Sequence, residues 1–183
     1  MFAMKTSFTF YFIIISAMLF SCKKEVTELP AATQTGANTF GCKLNGDFWV
    51  PAGFGIVPTA PTLEARFGST DLYINARNFS SSPTESEFEI FIKDATHTGS
   101  YTLNTGAGYP TTFTSNYAYY VHRRINPDNE WITASPYTGS VTITKIDSIN
   151  HFVSGTFQFQ AINIYNSPQP INVTEGRFDV RTQ

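Results

Sequence analysis

Few residues in this chain have the type and spacing to do chemistry. Glu85, Glu87 and Glu89 stand at i, i+2 spacing. On a strand that puts the three carboxylates on one face, successive ones about 6.6–7 Å apart. Such a separation suits glycoside hydrolysis, provided one acid has a raised pKa in a cleft. Adjacent exposed glutamates do not supply that. Glu64, Arg66 and Arg77 fall on the wet faces of the neighbouring strands, so cross-strand ion pairing is the simpler reading. His97, His122 and His151 are scattered, with no metal-ligand spacing such as His-x-x-x-His. Asp94 and His97 share a turn, but two ligands do not make a site. There is no Gly-x-Ser-x-Gly elbow and no Gly-rich phosphate loop. No catalytic residue, metal or cofactor is expected, and the chain is read as a non-enzyme.

The aromatic residues give the better binding hypothesis. Tyr109, Tyr117, Tyr119, Tyr120, Trp131 and Tyr137 fall in one stretch broken by Pro110, Pro127 and Pro136. Tyr117, Tyr119 and Val121 face one way on a strand, Tyr120 and His122 the other. Large aromatics on both faces cannot all enter one core. Some are therefore expected at an edge, groove or interface, where Tyr117, Tyr119, Tyr120, Trp131 and Tyr137 would stack on a sugar or anchor a peptide. The competing reading is structural: Tyr is a good strand former, and a loop can cover the second face. A second candidate surface is the flat, uncharged face of Thr142, Thr144, Thr156, Gln158 and Gln160, which is also what an ordinary solvent face looks like.

Cys22 carries a different chemistry. It follows Leu19-Phe20-Ser21 at the end of an apolar run from Phe8 to Phe20, with Lys5 upstream. The run is shorter than the ~20 residues that span a bilayer. The basic start, apolar middle and small-residue exit make a secretory signal. The small residue before a Cys suggests cleavage at Ser21-Cys22 and lipid on the sulfur, as in a bacterial lipoprotein. An uncleaved anchor helix over residues 1–21 is the rival reading. A buried acyl CH₂ contributes about 0.8 kcal/mol, and about two chains make an attachment stable. Cys42 is then the only thiol left, so no intramolecular disulfide forms. Cys42 is in phase with Phe40 and Leu44, which fits a small core residue better than a reactive thiol or an intermolecular bridge.

Removal of Lys5 with the leader leaves 11 basic against 14 acidic side chains, a net charge of −3. No basic block exists, so nucleic acid is not an expected partner. The partners expected are a membrane, through the Cys22 lipid, and a glycan or an envelope protein. Aromatics at 15% and charges at 14%, with much Thr, Ser, Asn and Gly, make a β composition.

The elements that must position these residues are strands. Residues 22–38 are polar and aperiodic and read as a flexible, lipidated tether. Residues 39–183 read as one β-domain. Thr39–Leu44 and Asp47–Val50 flank Asn45-Gly46, a type I′ hairpin signal. Alternation continues around Leu63–Phe67, Leu72–Arg77, Glu87–Ile92, Thr112–His122, Val141–Thr144, Val153–Ala161 and Ile171–Arg181. The last strand slips phase at Glu175-Gly176, which suggests a β-bulge. Asn126–Ser135 is the least regular stretch, with room for one helical turn. The fold expected is all-β: a mostly antiparallel sandwich of about 8–10 strands, with an up-and-down barrel as the alternative.

Four stretches taken in order add a resemblance: Gly41–Trp49, Gly139–Asp147, Val153–Phe159 and Val173–Asp179. Behind the lipobox, this set resembles small β-rich lipoproteins of Bacteroidota that carry a domain of unknown function. The resemblance implies a lipid-anchored protein of the cell envelope, at the outer membrane, and supplies no activity and no catalytic residue. It also allows O-glycosylation at Ser148 in Asp147-Ser148-Ile149; a plain turn is the simpler reading. If Cys22 is lipidated, Cys22→Ala moves the protein from the membrane to the soluble fraction on cell fractionation.

Overall fold

The computed structural model describes residues 26–53, 61–80, 85–104, 115–123, 129–165 and 169–183. Cys22, Tyr109 and residues 112–114 and 126–128 lie outside them. Eleven strands follow one another: β1 (Thr39–Leu44), β2 (Asp47–Trp49), β3 (Leu63–Gly68), β4 (Asp71–Asn78), β5 (Ser86–Ile92), β6 (Gly99–Leu103), β7 (Tyr117–His122), β8 (Glu130–Ile132), β9 (Gly139–Asp147), β10 (Phe152–Asn163) and β11 (Ile171–Arg181). The named strands pair antiparallel throughout, and the sheet curls into a half-barrel. The all-β expectation holds. The two strands that sequence reading did not pick out are β6, of five residues, and β8, of three, too few for alternation to show. β8 lies in the irregular Asn126–Ser135 stretch that left room for one helical turn.

The half-barrel has two leaves. The first runs β2-β1-β11-β10-β9-β6 and the second β8-β7-β5-β4-β3. They meet in β10, whose Phe152–Phe159 stretch pairs with β9 while Ile162 and Asn163 pair with β8. One long strand thus serves both leaves. This geometry lies between the sandwich and the barrel that the pattern allowed: the sheet is continuous but open. Its edge strands are β2, β3 and β6. Within β3, Ala65 bridges Thr182 and accepts the Gln183 N–H at 3.0 Å.

Both leaves turn their apolar residues inward. Phe40, Cys42, Val141, Ile143, Phe157 and Phe178 of the first meet Leu72, Ile74, Phe88, Ile90 and Tyr120 of the second in one core. Full burial of such a side chain contributes about 1.5–3 kcal/mol. Trp49 crosses between the leaves, stacking edge-on against Phe88 and donating from Nε1 to Ser86 Oγ at 2.9 Å. Cys42 is fully buried, as its phase predicted, and burial pushes its thiol up well beyond the ordinary range.

Two turn features follow the sequence. Asn45 and Gly46 take φ of 52° and 97° between the paired Leu44 and Asp47. The expected bulge is present: Glu175 takes a φ of 53°, and the β10–β11 register shifts between Phe157 and Phe159. Gly176 is required beside it, because a Cβ there would sit 2.5 Å from the Phe157 ring.

Within the expected tether, residues 33–37 are bound to the domain. Asp179 on β11 is 1% exposed, and its carboxylate accepts bonds from Thr33 Oγ1 (2.6 Å), Thr35 N (3.0 Å), Gly36 N (2.9 Å), Ala37 N (3.0 Å) and Ser154 Oγ (2.7 Å). Aperiodic composition hid this, because the donors are mostly backbone amides. Burial alone would raise the Asp179 carboxyl, but the hydrogen bonds from Thr33, Ala37, Ser154 and Thr35 outweigh it and hold it well below the usual carboxylate range. A depressed carboxyl stabilises the fold fully above its unfolded pKa of about 3.9 and loses that contribution as pH falls further. Asp179→Asn presents an amide donor to the backbone donors and is expected to cost about 3 kcal/mol in urea unfolding. It also flattens the loss of stability below pH ~4. A chain starting at residue 38 lacks four of the five donors and should unfold at lower urea than one starting at residue 26.

Candidate functional site

The two outer faces of the leaves are built differently. On the first leaf, cross-strand register lines up Arg177, Thr156, Thr142 and Ser100 in one row. Gln158, Ser140 and Thr102 make the next. Core residues alternate with them, so every outward position in these rows is a hydroxyl, an amide or the one guanidinium. The N-terminal segment, held by Asp179, rises beside the rows at Ala32. The result is a trough of about 450 Å³ with Ser140, Thr142, Thr156 and Gln158 on its floor and Glu175 and Arg177 at its wall. The Arg177 guanidinium is held by the carbonyls of Glu175 (3.3 Å) and Pro30 (3.5 Å). The nearest carboxylate to it, Glu175, is paired with Lys43 at 2.6 Å. Asp179 lies two residues along the same face, so the two cations and two carboxylates here cancel. Thr144, also on this face, donates to the Ser154 carbonyl at 3.1 Å.

The outer face of the second leaf is largely buried. Phe91, Tyr117, Tyr119, Val121 and Ile132 form a second apolar cluster, with Tyr73 and Ile164 packed against it. Around it run Asn75, Arg77, Glu87, Glu89, Arg123 and Glu130. Glu87 takes the Asn75 amide and is paired with Arg77 (3.5 Å) and Arg123 (2.9 Å). Arg77 also reaches Glu64 at 3.2 Å. Cross-strand ion pairing of Glu64, Arg77 and Glu87 is therefore present, on a face less wet than expected. Arg66 lies instead over the Tyr73 ring at 4.8 Å. Glu130 accepts the hydroxyls of Tyr119 and of Tyr165, the latter at 3.0 Å.

The glutamates differ in titration. Burial would raise Glu87, but the Asn75 amide and the Arg123 and Arg77 guanidiniums overcome it and lower its pKa. Glu89 is raised, first by burial and then by the Glu87 carboxylate; the Tyr73 and Tyr117 hydroxyls and Arg77 only partly oppose this. Glu89 lies directly across from Asn75, whose Oδ1 is buried without a donor. A carboxylate engaged by an amide and two guanidiniums is a poor base, so the pair does not assemble the acid and base of a hydrolase.

The structure separates the predicted binding aromatics. Tyr117 and Tyr119 lie on the outer cluster and Tyr120 in the core, on opposite faces as the alternation required. All three are buried, so the exposure expected of them is not what the described residues show: the outer face is covered as well as the inner. Trp131 and Tyr137 are half-buried. Trp131 packs against Tyr120 and donates to the Gln169 carbonyl at 3.0 Å. No single surface among the described residues gathers the five. Sequence reading passed over Arg177, Ser140, Ser100 and Thr102, which only cross-strand register brings beside Thr142, Thr156 and Gln158. Ser148 is exposed in a turn whose amides, from Ile149 and Asn150, are capped by Asp147. Among the described residues no three His, Cys, Asp or Glu side chains are grouped to hold a metal ion.

A family described as a domain of unknown function (DUF6252) matches residues 57–180. The match takes in three of the four motif stretches and the middle of the chain, which carried no distinctive residues. The chain belongs to this family. Comparison with curated proteins gives no match, and comparison with solved structures gives none.

The raised Glu89 fixes a sign. Its protonated form is favoured in the fold, so the stability it contributes is present below the unfolded pKa of about 4.3 and is lost as pH rises through the folded value. Glu89→Gln should remove that falling slope in unfolding measured across pH 4–8, whereas Glu87→Gln should leave it and lower stability at neutral pH.

Proposed function

We propose that this chain is a lipid-anchored, non-catalytic module of the bacterial cell envelope that binds a neutral glycan in the trough on the outer face of its first leaf. The signal-like leader ending at Cys22 and the ordered motifs of the Bacteroidota type support the anchor and an outer-membrane location. The trough carries the binding reading. Two rows of hydroxyls and amides, pre-positioned by strand pairing, match the donors and acceptors of a polyhydroxylated chain. Strand pairing fixes the backbone that presents these groups, so binding orders only short side chains. The cancelling charges around Arg177 favour an uncharged sugar over an acidic one. The trough also replaces the Tyr117–Tyr137 stretch as the place to look, because it is open and those rings are not.

A glycan-array screen of the full chain in detergent tests this. Neutral glycans should bind, and Gln158→Ala with Thr156→Val should weaken binding about tenfold or more, on the order of 1.4 kcal/mol, with unchanged unfolding. Tyr119→Ala should instead lose stability. Equal binding by the trough variants, or binding to no glycan, counts against the reading. In the latter case an envelope protein docked on an open sheet edge takes its place.

A further inference from the structure

The edge strands β2 and β3 form no ladder with each other, and the gap between them is narrowed only by two isolated bridges, Ala52 to Asn78 and Ala65 to Thr182. A groove of about 710 Å³ lies there, between the N-terminal segment and the start of β1, the residues after β2 and the start of β3. Besides Ala31 and the buried Phe40, its apolar lining comes from Val26, Leu29, Pro30, Val50, Pro51 and Leu63. None of the six is buried, and Val26 is among the most exposed large apolar side chains described. Apolar residues left open in a concave surface mark a contact with something apolar.

Chain length says what that is. The bonds to Asp179 begin at Thr33, and the Pro30 ring packs on β1 at Gly41, where an added Cβ would sit 2.8 Å from its Cδ. Val26 to Ala31 line the groove itself. Only residues 22–25 therefore separate a lipidated Cys22 from the groove. Whatever path they take, four residues reach at most about 14 Å. A 16-residue tether would have let the domain stand off by about 50 Å; the Asp179 clasp removes most of that freedom. The side of the domain that carries the groove is thus held at the bilayer. Trough and groove lie on either side of the N-terminal segment and share no lining residue, so the groove at the membrane leaves the polar rows free.

We propose that this groove is a membrane-facing surface that seats an acyl chain of the bilayer in which Cys22 is anchored. The proposal rests on lipidation of Cys22 and goes beyond the glycan reading, which needs no contact with lipid. It accounts for the apolar gap: closing it by pairing β2 with β3 would give a barrel and remove the site.

Spin labels on the full, lipidated chain in liposomes test it. Cys42 is buried and does not compete for the label, so Val50→Cys and Leu63→Cys report the groove and Thr142→Cys the trough. Labels at 50 and 63 should collide several-fold more with membrane-dissolved oxygen than with a water-soluble nickel chelate, and the label at 142 should show the reverse. Labels at 50 and 63 that behave like the one at 142 overturn the proposal while leaving the anchor intact. The mass of the Cys22 peptide from the same sample is the separate check on the premise: an unmodified Cys22 removes the proposal with it. Asp179→Asn, which loosens the clasp, should lower oxygen contact at 50 and 63 without releasing the protein from the liposomes.

Discussion

The architecture depends on one buried carboxylate. Asp179 is ionised on the outer face of the first leaf, where an unpaired charge costs several kcal/mol. It is tolerated because five donors converge on it, three of them backbone amides of residues 35–37 and two the hydroxyls of Thr33 and Ser154. The arrangement works like a nest for an anion, with the anion supplied by the chain itself. Its consequence is long-range in sequence. A segment with no periodicity and no apolar stripe becomes a fixed wall of the domain. That wall makes the trough on one side and the groove on the other.

The second constraint is the open sheet. A long β10 has to serve β9 over most of its length and β8 at its end, so the sheet must bend within it. Two glycines permit the close approaches nearby. A Cβ on Gly155 would sit 2.4 Å from the Thr142 carbonyl, and one on Gly176 would strike Phe157. The bulge at Glu175 adds local twist at the same level. Bending keeps both outer faces apart and lets each carry its own chemistry: uncharged rows on the first leaf, a half-buried ionic and tyrosine network on the second.

Much of the fold was legible in the alternation. The strands, the Asn45-Gly46 turn, the Glu175-Gly176 bulge and the two faces of Tyr117–His122 all follow from period two and from residues that tolerate positive φ. What the pattern could not show is what covers a face. Tyr119 and Glu89 read as exposed because a half-buried strand has one wet side by default, yet the outer side of the second leaf is buried. β8, of three residues, is invisible to a period-two test, and β6 (GSYTL) is too short and too polar to stand out by it. The trough was half legible. Thr142, Thr156 and Gln158 were evident on their strands, but Arg177, Ser140 and Ser100 join them only through register, which sequence spacing does not encode.

The two outer faces also explain why carboxylates at hydrolase-like spacing are not the natural site here. Glu87 and Glu89 titrate in opposite directions, which is how an acid and a base are told apart in an active centre. Yet the causes are structural. Glu87 is held down by Asn75 and two arginines that tie β4, β5 and the end of β7 together, and Glu89 is raised by the cover over its own strand. Glu87 does line a small cavity with Glu85, Arg77 and Arg123, but there it is already engaged by both guanidiniums. The trough has the opposite character: no perturbed carboxyl on its floor, a backbone fixed by pairing, and room for a ligand. On the glycan reading proposed above, such an open surface would hold a molecule through its hydroxyls and amide, and a lipid anchor at Cys22 would keep that molecule at the membrane.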